Sequence, residues 1–299
     1  MPARMDKVTL VAASSIVIAL AVMGIKYAAY LATGSVALFS DALESIVNLV
    51  TSIAAFWAIQ VSRKPADKDH QFGHHKAEYF AAVLEGVLIV VAALLIARQA
   101  WISYNLALAP ENTMQGLLIN VVATLINGVW ALFLFRFGRR RRSPAFVAEA
   151  WHLTSDVMSS IGVVIGLLLV VVTGWTVLDP LVALIVAVNI LWSGWKVIRE
   201  SVSGLMDEAV SRSVETEIRT IISAEAEGAL EVHDLRTRSA GRATFIEFHL
   251  VVPGSLSVSA AHAICDRIEA ALVKAVDGAE VLIHVEPEAE AQHHGVIVL

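Results

Sequence analysis

Residues 40–50 read SDALESIVNLV, and residues 151–160 read WHLTSDVMSS. Both segments lie in long apolar runs, and each carries two polar side chains four residues apart: Glu44 and Asn48, then His152 and Asp156. On a helix that interval puts both side chains on one face, a turn apart. Carboxylate, imidazole and carboxamide groups are costly in hydrocarbon-like sequence, and they mark ion or proton paths. Four donors from two helices match the number that a tetrahedral divalent cation takes. The other use of such groups is hydrogen bonding between helices, which a lone polar residue serves equally well. Two ionisable pairs with one spacing favour a cation site. Asp41, on the same stretch, is either a secondary ligand or a capping residue near the helix end.

Outward from these segments, six apolar stretches are long enough to cross a bilayer, which needs about 20 residues each. They span residues 8–31, 35–61, 79–104, 114–137, 145–172 and 177–198. The chain is 57% hydrophobic and 17% charged, against about 45–50% and 25% for a soluble domain. Basic residues alternate between the connections. Arg4 and Lys7 precede the first stretch; Arg63, Lys64, Lys68 and Lys76 follow the second; Arg139–Arg142 follow the fourth; Arg199 follows the sixth. The intervening loops (ATG, NLALAPENT, VTGWTVLDP) hold no Lys or Arg. The positive-inside rule therefore places both termini in the cytoplasm. The basic start followed by an apolar run resembles a secretion signal, but the run is long and five more follow, so we read a retained first helix. Lys26 and Arg98 lie near the outer helix ends, within snorkelling reach of the interface.

Charge divides the chain. Residues 1–199 carry a balance of +4 and residues 200–299 one of −10. An acidic soluble part repels nucleic acid and suits cations as partners. Its patterning predicts a helix at 214–223, strands at 231–238 and 242–252 joined by a turn at Ala240-Gly241, a helix at 258–276 and a strand at 280–286. That order makes a small α+β sandwich with helices on one side of a sheet. The domains are then 1–206 in the membrane and 207–288 in the cytoplasm, with 289–299 as a flexible tail whose His293 and His294 receive no role. Cys265 is the sole cysteine; it excludes an internal disulfide and a thiolate cage, and packs as a small hydrophobe.

Two more clusters hold metal-ligand chemistry. In PADKDHQFGHHKAE, residues 65–78, Asp67, His70 and His74 fall within eight residues, with His75 adjacent. They are either a metal site at the membrane face or a solvated loop touching headgroups. The acidic domain holds His233, His249, His262 and His284, with Glu286 sharing a strand face with His284. Each alone suits an ordinary half-buried histidine; together they favour metal binding.

Four motifs carry a resemblance: GSVALFSDALES at 34–45, the loop at 65–78, HLTSD at 152–156 and HDLRTR at 233–238. With six helices and a small soluble domain, they resemble the cation diffusion facilitators, proton-coupled zinc and iron efflux proteins, from the first helix to Glu286. The resemblance implies an α-helical membrane protein, with a six-transmembrane-helix bundle and a ferredoxin-like αββαβ cytoplasmic domain that forms a homodimer. It implies a transport site of Glu44, Asn48, His152 and Asp156, and an interfacial site of Asp67, His70 and His74. It further implies a cytoplasmic binuclear site of His233, His249, His262, His284 and Glu286, and a hinge charge pair of Lys76 and Asp207. The implied setting is the inner (plasma) membrane, with the lipid bilayer, protons and metal ions as partners. No nucleic acid, no resident cofactor and no enzymatic activity are implied. Bacterial zinc members usually carry Asp or His at Glu44 and Asp at Asn48, and Asp is usual at Glu286, so selectivity does not carry over with the resemblance. One nitrogen and three oxygens rank Zn²⁺ first and Fe²⁺ second as cargo and regulatory ion, with Mn²⁺, Co²⁺ and Cd²⁺ also admitted. The expected activity is divalent metal/proton exchange by alternating access. A membrane-anchored metal sensor is the alternative; it leaves the intramembrane acids without a purpose. An intramembrane hydrolase would carry an HExxH helix, which this chain lacks.

Overall fold

The computed structural model describes residues 6–33, 36–106, 114–175, 178–292 and 297–298. The chain forms two units, Met1–Val202 and Ser203–Leu299.

The first unit is helical: α1 Lys7–Thr33, α2 Val36–Ser62, α3 Ala77–Leu106, α4 Met114–Arg141, α5 Pro144–Thr173 and α6 Leu178–Leu205. Each exceeds the length needed to span a bilayer. Among the described residues, Lys7–Ala28, Ala77–Ile102 and Val121–Arg141 are long and uniformly apolar enough to do so by composition as well. α1 packs on α2 and α4, α5 packs on α4, and α3 touches both α2 and α5. The bundle hides small and polar side chains (Ala12, Ala55, Ala131, Ala150, Ser52, Asn127) and displays large apolar ones such as Val17, Trp57, Leu94, Leu125 and Trp192. In water this order would be inverted; facing lipid, it leaves close packing and hydrogen bonding to hold the helices together. α3 and α6 meet through glycines: a Cβ on Gly86 would lie 3.1 Å from the Ile198 backbone nitrogen, and one on Gly194 would lie 3.1 Å from that of Val90. Lys26 departs from expectation. It is buried at 3% exposure on α1, because its face of the helix turns into the bundle, whereas Arg98 is exposed.

Helix ends follow local chemistry. α4 stops where Arg142 takes a left-handed φ of 54°. The Ser143 N–H then reaches the Gly138 carbonyl at 3.0 Å and the Arg142 N–H the Arg139 carbonyl at 3.3 Å, the paired bonds of a Schellman ending. The arginine run also sits at the negative end of the helix dipole. Pro144 then opens α5, where its missing N–H costs nothing. α6 ends in the same way: Asp207 takes a φ of 62°, and the Glu208 N–H reaches the Ser203 carbonyl at 3.1 Å.

The second unit runs α7 Arg212–Glu225, β1 Glu231–Ala240, β2 Ala243–Val252, α8 Val258–Ala275 and β3 Ala279–Pro287, followed by a single 3-10 turn and β4 Ile297–Val298. The sheet order is β3-β2-β1-β4. β2 is central, antiparallel to β1 and parallel to β3, with α8 as the crossover. α7 and α8 cover the sheet through Ile218, Ile222, Ile264, Ile268 and Leu272, which pack with Ile246, Phe248 and Leu250. Within the segment expected as a tail at 289–299, Ile297 and Val298 pair with Val232 and Glu231. The exposed edge of β1 supplies unpaired backbone groups that a short apolar segment can satisfy.

Candidate metal sites

In the helical unit, α2 brings Asn48 to α5, where His152 and Asp156 stand one turn apart. The Asn48 Nδ2 donates to Asp156 Oδ2 at 2.5 Å, and His152 Nε2 lies 3.9 Å from Asp156 Oδ1. All three residues are at most 5% exposed. Among the described residues Asn48 Oδ1 is buried with no hydrogen-bond partner. A buried amide oxygen with its lone pairs unused is able to serve a cation as a ligand. Glu44 lies on α2, but its side chain, like that of Asp41, falls outside the described residues.

The loop between α2 and α3 folds round Asp67. Its Oδ1 accepts the backbone N–H groups of Asp69 at 3.0 Å and His70 at 2.7 Å, an Asx turn. These donors, the His70 N–H foremost, hold the Asp67 carboxyl below its ordinary range. His70 Nδ1 and His74 Nε2 each lie 3.4 Å from an Asp67 oxygen. One donor atom from each of the three residues falls within 4.8 Å of the others, so the spacing suits a single ion. His75 is adjacent, with its Nε2 3.0 Å from where a Cβ on Gly73 would stand.

In the second unit, strand register does what helical spacing does in the first. His233 on β1 stands opposite His249 on β2, which stands opposite His284 on β3. The three imidazoles form a row, with ring centroids 5.1 Å and 4.9 Å apart. Glu286, two residues beyond His284, returns to the same face. Its oxygens lie 3.1 Å from His233 Nε2 and 2.9 Å from His249 Nδ1. His233, His249 and Glu286 hold donor atoms within 4.8 Å of one another. His284 sits at the rim, 3.6 Å from Glu286 and largely exposed. His262 is not in this group; on α8 its Nε2 lies 3.6 Å from Asp266, a partner one helical turn away. Asp207 Oδ1 lies 3.4 Å from Arg238 Nη1. In the other unit, the Lys76 carbonyl accepts the Tyr79 N–H at 3.0 Å in the turn that starts α3. Cys265 packs partly buried against the core of its unit, and burial raises its thiol above the ordinary value.

The reading of the sequence missed four buried acids. Glu78 accepts from Ser62 Oγ at 2.8 Å and also from Ser143. Glu149 accepts from Ser52 Oγ at 2.7 Å. Glu85 Oε1 lies 2.8 Å from His152 Nδ1. In the second unit Glu231 Oε1 lies 3.2 Å from His233 Nδ1 and accepts the Gln292 N–H at 3.0 Å. A signal existed for Glu85 and Glu149: each is an acid inside an apolar helix, the rule that singled out Glu44 and Asp156. Glu231 gave none, because an acid at a strand end reads as surface.

Helices that bury cation donors among small side chains, joined to a soluble unit with its own donor row, describe a membrane protein that handles metal cations. The cation efflux transmembrane domain profile matches residues 12–206, and the cation efflux protein cytoplasmic domain profile matches residues 210–288. An uncharacterized transporter of Synechocystis sp. is 44% identical over 274 residues, covering 91% of this chain and 88% of its own. The cation-efflux pump FieF of Klebsiella pneumoniae is 33% identical over 273 residues, covering 90% of this chain and 89% of its own. A structure of CzrB in its Zn form matches at 47% identity and a TM-score of 0.28, covering 29% of this chain and 98% of that one. The chain belongs to the cation diffusion facilitator (cation efflux) family of membrane transporters.

Proposed function

We propose that this protein exports divalent transition-metal cations from the cytoplasm in exchange for protons, with Zn²⁺ as first cargo and Fe²⁺ as second. The observation that carries the reading is the buried meeting of Asn48, His152 and Asp156, with Asn48 Oδ1 left unspent. Glu44, one turn before Asn48 on α2, supplies the fourth donor.

A bare divalent ion does not enter hydrocarbon, so these groups replace its water shell near the bilayer midplane. The helices then alternate access to the site from either side. Asp156 and Glu44 supply charge, and Asn48 a neutral oxygen. His152 binds metal only through an unprotonated nitrogen. A proton from the outer side therefore competes with the ion for His152 and drives release outward. The oxygen-rich set keeps Fe²⁺ in contention with Zn²⁺, since a softer metal would favour more nitrogen or sulfur. The relatives named cation-efflux pumps support the direction of transport.

Asp67, His70 and His74 form a second binding point at the inner membrane face. The His233, His249 and Glu286 cluster, with His284 at its rim, binds cytoplasmic metal, brings the soluble units of a homodimer together and raises the transport rate. The loop basic residues support an inner-membrane setting with both termini in the cytoplasm.

The test is flux in proteoliposomes loaded with a metal-sensitive dye, under an imposed pH gradient, for the native chain and Asp156→Ala. Zn²⁺, Fe²⁺, Mn²⁺, Co²⁺ and Cd²⁺ are compared. Gradient-dependent flux that Asp156→Ala lowers by more than ~100-fold, beyond the cost of disturbing an outer-shell group, is the expected result. Flux that ignores the pH gradient removes proton exchange, and undiminished flux in the variant removes the site.

A further inference from the structure

His152 has two ring nitrogens, and the structure gives each a different acid. Nε2 faces Asp156 on its own helix, at 3.9 Å. Nδ1 faces Glu85 of α3, at 2.8 Å, with both side chains 4% exposed. A neutral imidazole carries one N–H, and an ionised carboxylate can only accept. The contact is one of charge and proximity rather than an aligned hydrogen bond; the Glu85 charge draws the ring proton to Nδ1 and leaves the Nε2 lone pair free on the side of Asp156 and Asn48. Of the two nitrogens, Nε2 is the one a cation in that cluster can use.

Two further observations bear on this arrangement. α3 is held in place beside Glu85: Gly86 lets α3 approach α6 so closely that an added Cβ would lie 2.7 Å from Ile198 Cγ1 and 3.1 Å from the Ile198 nitrogen. The same device also recurs on a different scaffold. In the second unit, His233 turns Nε2 to Glu286 at 3.1 Å and Nδ1 to Glu231 at 3.2 Å, with Glu231 buried at the start of β1. A helix bundle and a sheet have each placed a buried glutamate behind the histidine of a donor cluster, on the nitrogen away from the other donors.

We propose that Glu85 is a positioning residue of the transport site: it holds the His152 tautomer and ring orientation so that Nε2 ligates the cargo ion. An acid behind a metal-binding imidazole fixes the tautomer and raises its basicity, and its loss typically costs ~10–100-fold in affinity. The inference rests on the assignment of His152 to the transport site.

The test uses the full chain in proteoliposomes, with Zn²⁺ flux measured across Zn²⁺ concentrations for Glu85→Gln, Glu85→Asp, Glu85→Ala and His152→Ala. Glu85→Gln keeps the shape but can present an N–H to Nδ1, which drives the ring proton to Nε2. The expected result is a KM raised at least ~10-fold in Glu85→Gln and Glu85→Ala, with a smaller change in maximal rate and a partial return of KM in Glu85→Asp. A KM within about twofold of native in both Glu85→Gln and Glu85→Ala, well short of that ~10–100-fold cost, overturns the proposal. His152→Ala separates it from the reading beneath: if flux survives that variant, the transport site itself is misassigned. If flux is lost there but KM holds in the Glu85 variants, only the role of Glu85 falls. Should the variants fail to fold, as judged by size exclusion, ¹⁵N-histidine NMR of the native chain decides. A proton on Nδ1 of His152 sustains the proposal, and one on Nε2 overturns it.

Discussion

The two donor clusters reach the same chemistry by different routes. In the helical unit the donors come from turns of separate helices, and the described ones include one amide bonded to Asp156 and one imidazole 3.9 Å from it. In the soluble unit three imidazoles stand in register across adjacent strands, and one carboxylate reaches two of them at 3.1 Å and 2.9 Å. Helices can slide and tilt against lipid, where no hydrogen-bond ladder ties them; strands in a ladder cannot. A site that must release its ion gains from the first arrangement. A site that senses or stores gains from the second.

The largest expected effect separates the two directly. His152→Ala should abolish flux while metal still binds the soluble unit, and His233→Ala should remove metal from that unit and lower the flux without abolishing it. Isothermal titration beside vesicle flux checks both, and flux lost equally in each variant would erase the distinction. A smaller effect tests the rigidity of the sheet. Phe248, 1% exposed, packs in the core on the face of β2 opposite His249. Phe248→Ala should cost about 3–5 kcal/mol of the soluble unit's stability, read by hydrogen exchange in the full chain. Cytoplasmic metal binding should weaken with it, and transport at saturating metal should persist. The smallest effect concerns the interfacial loop. Because the Asp67 carboxyl is held below its usual value of 3.8, the stability it adds to its turn is present above that value and is lost only as the pH falls through the lower, folded one. Carboxyl-carbon NMR should show Asp67 still ionised at a pH where exposed aspartates are half protonated.

Much of this was legible because the signals are local. Asn48, His152 and Asp156 stood out as polar residues at one-turn spacing in apolar runs. Asp67, His70 and His74 stood out by proximity along the chain. The strands and the turn at Ala240-Gly241 followed from alternation and from a residue that tolerates the φ of 57° adopted there. The soluble-domain histidines were visible as a set, but their membership was not. Pairing register decides that His233, His249 and His284 share a row, and helical phase turns His262 towards Asp266 instead.

Hydrophobic length, loop charge and periodicity act over one helix or strand at a time, so the sequence by itself determined the six helices, the small α+β unit and most of the donors. What stands behind those donors was decided only in three dimensions. Glu85 meets His152 across a helix–helix contact, and Glu231 meets His233 while bonding the Gln292 N–H 61 residues away in the chain. The pairing of β4 with β1 is of the same kind. Each depends on where a second element lies and which way it is rotated, and packing sets both.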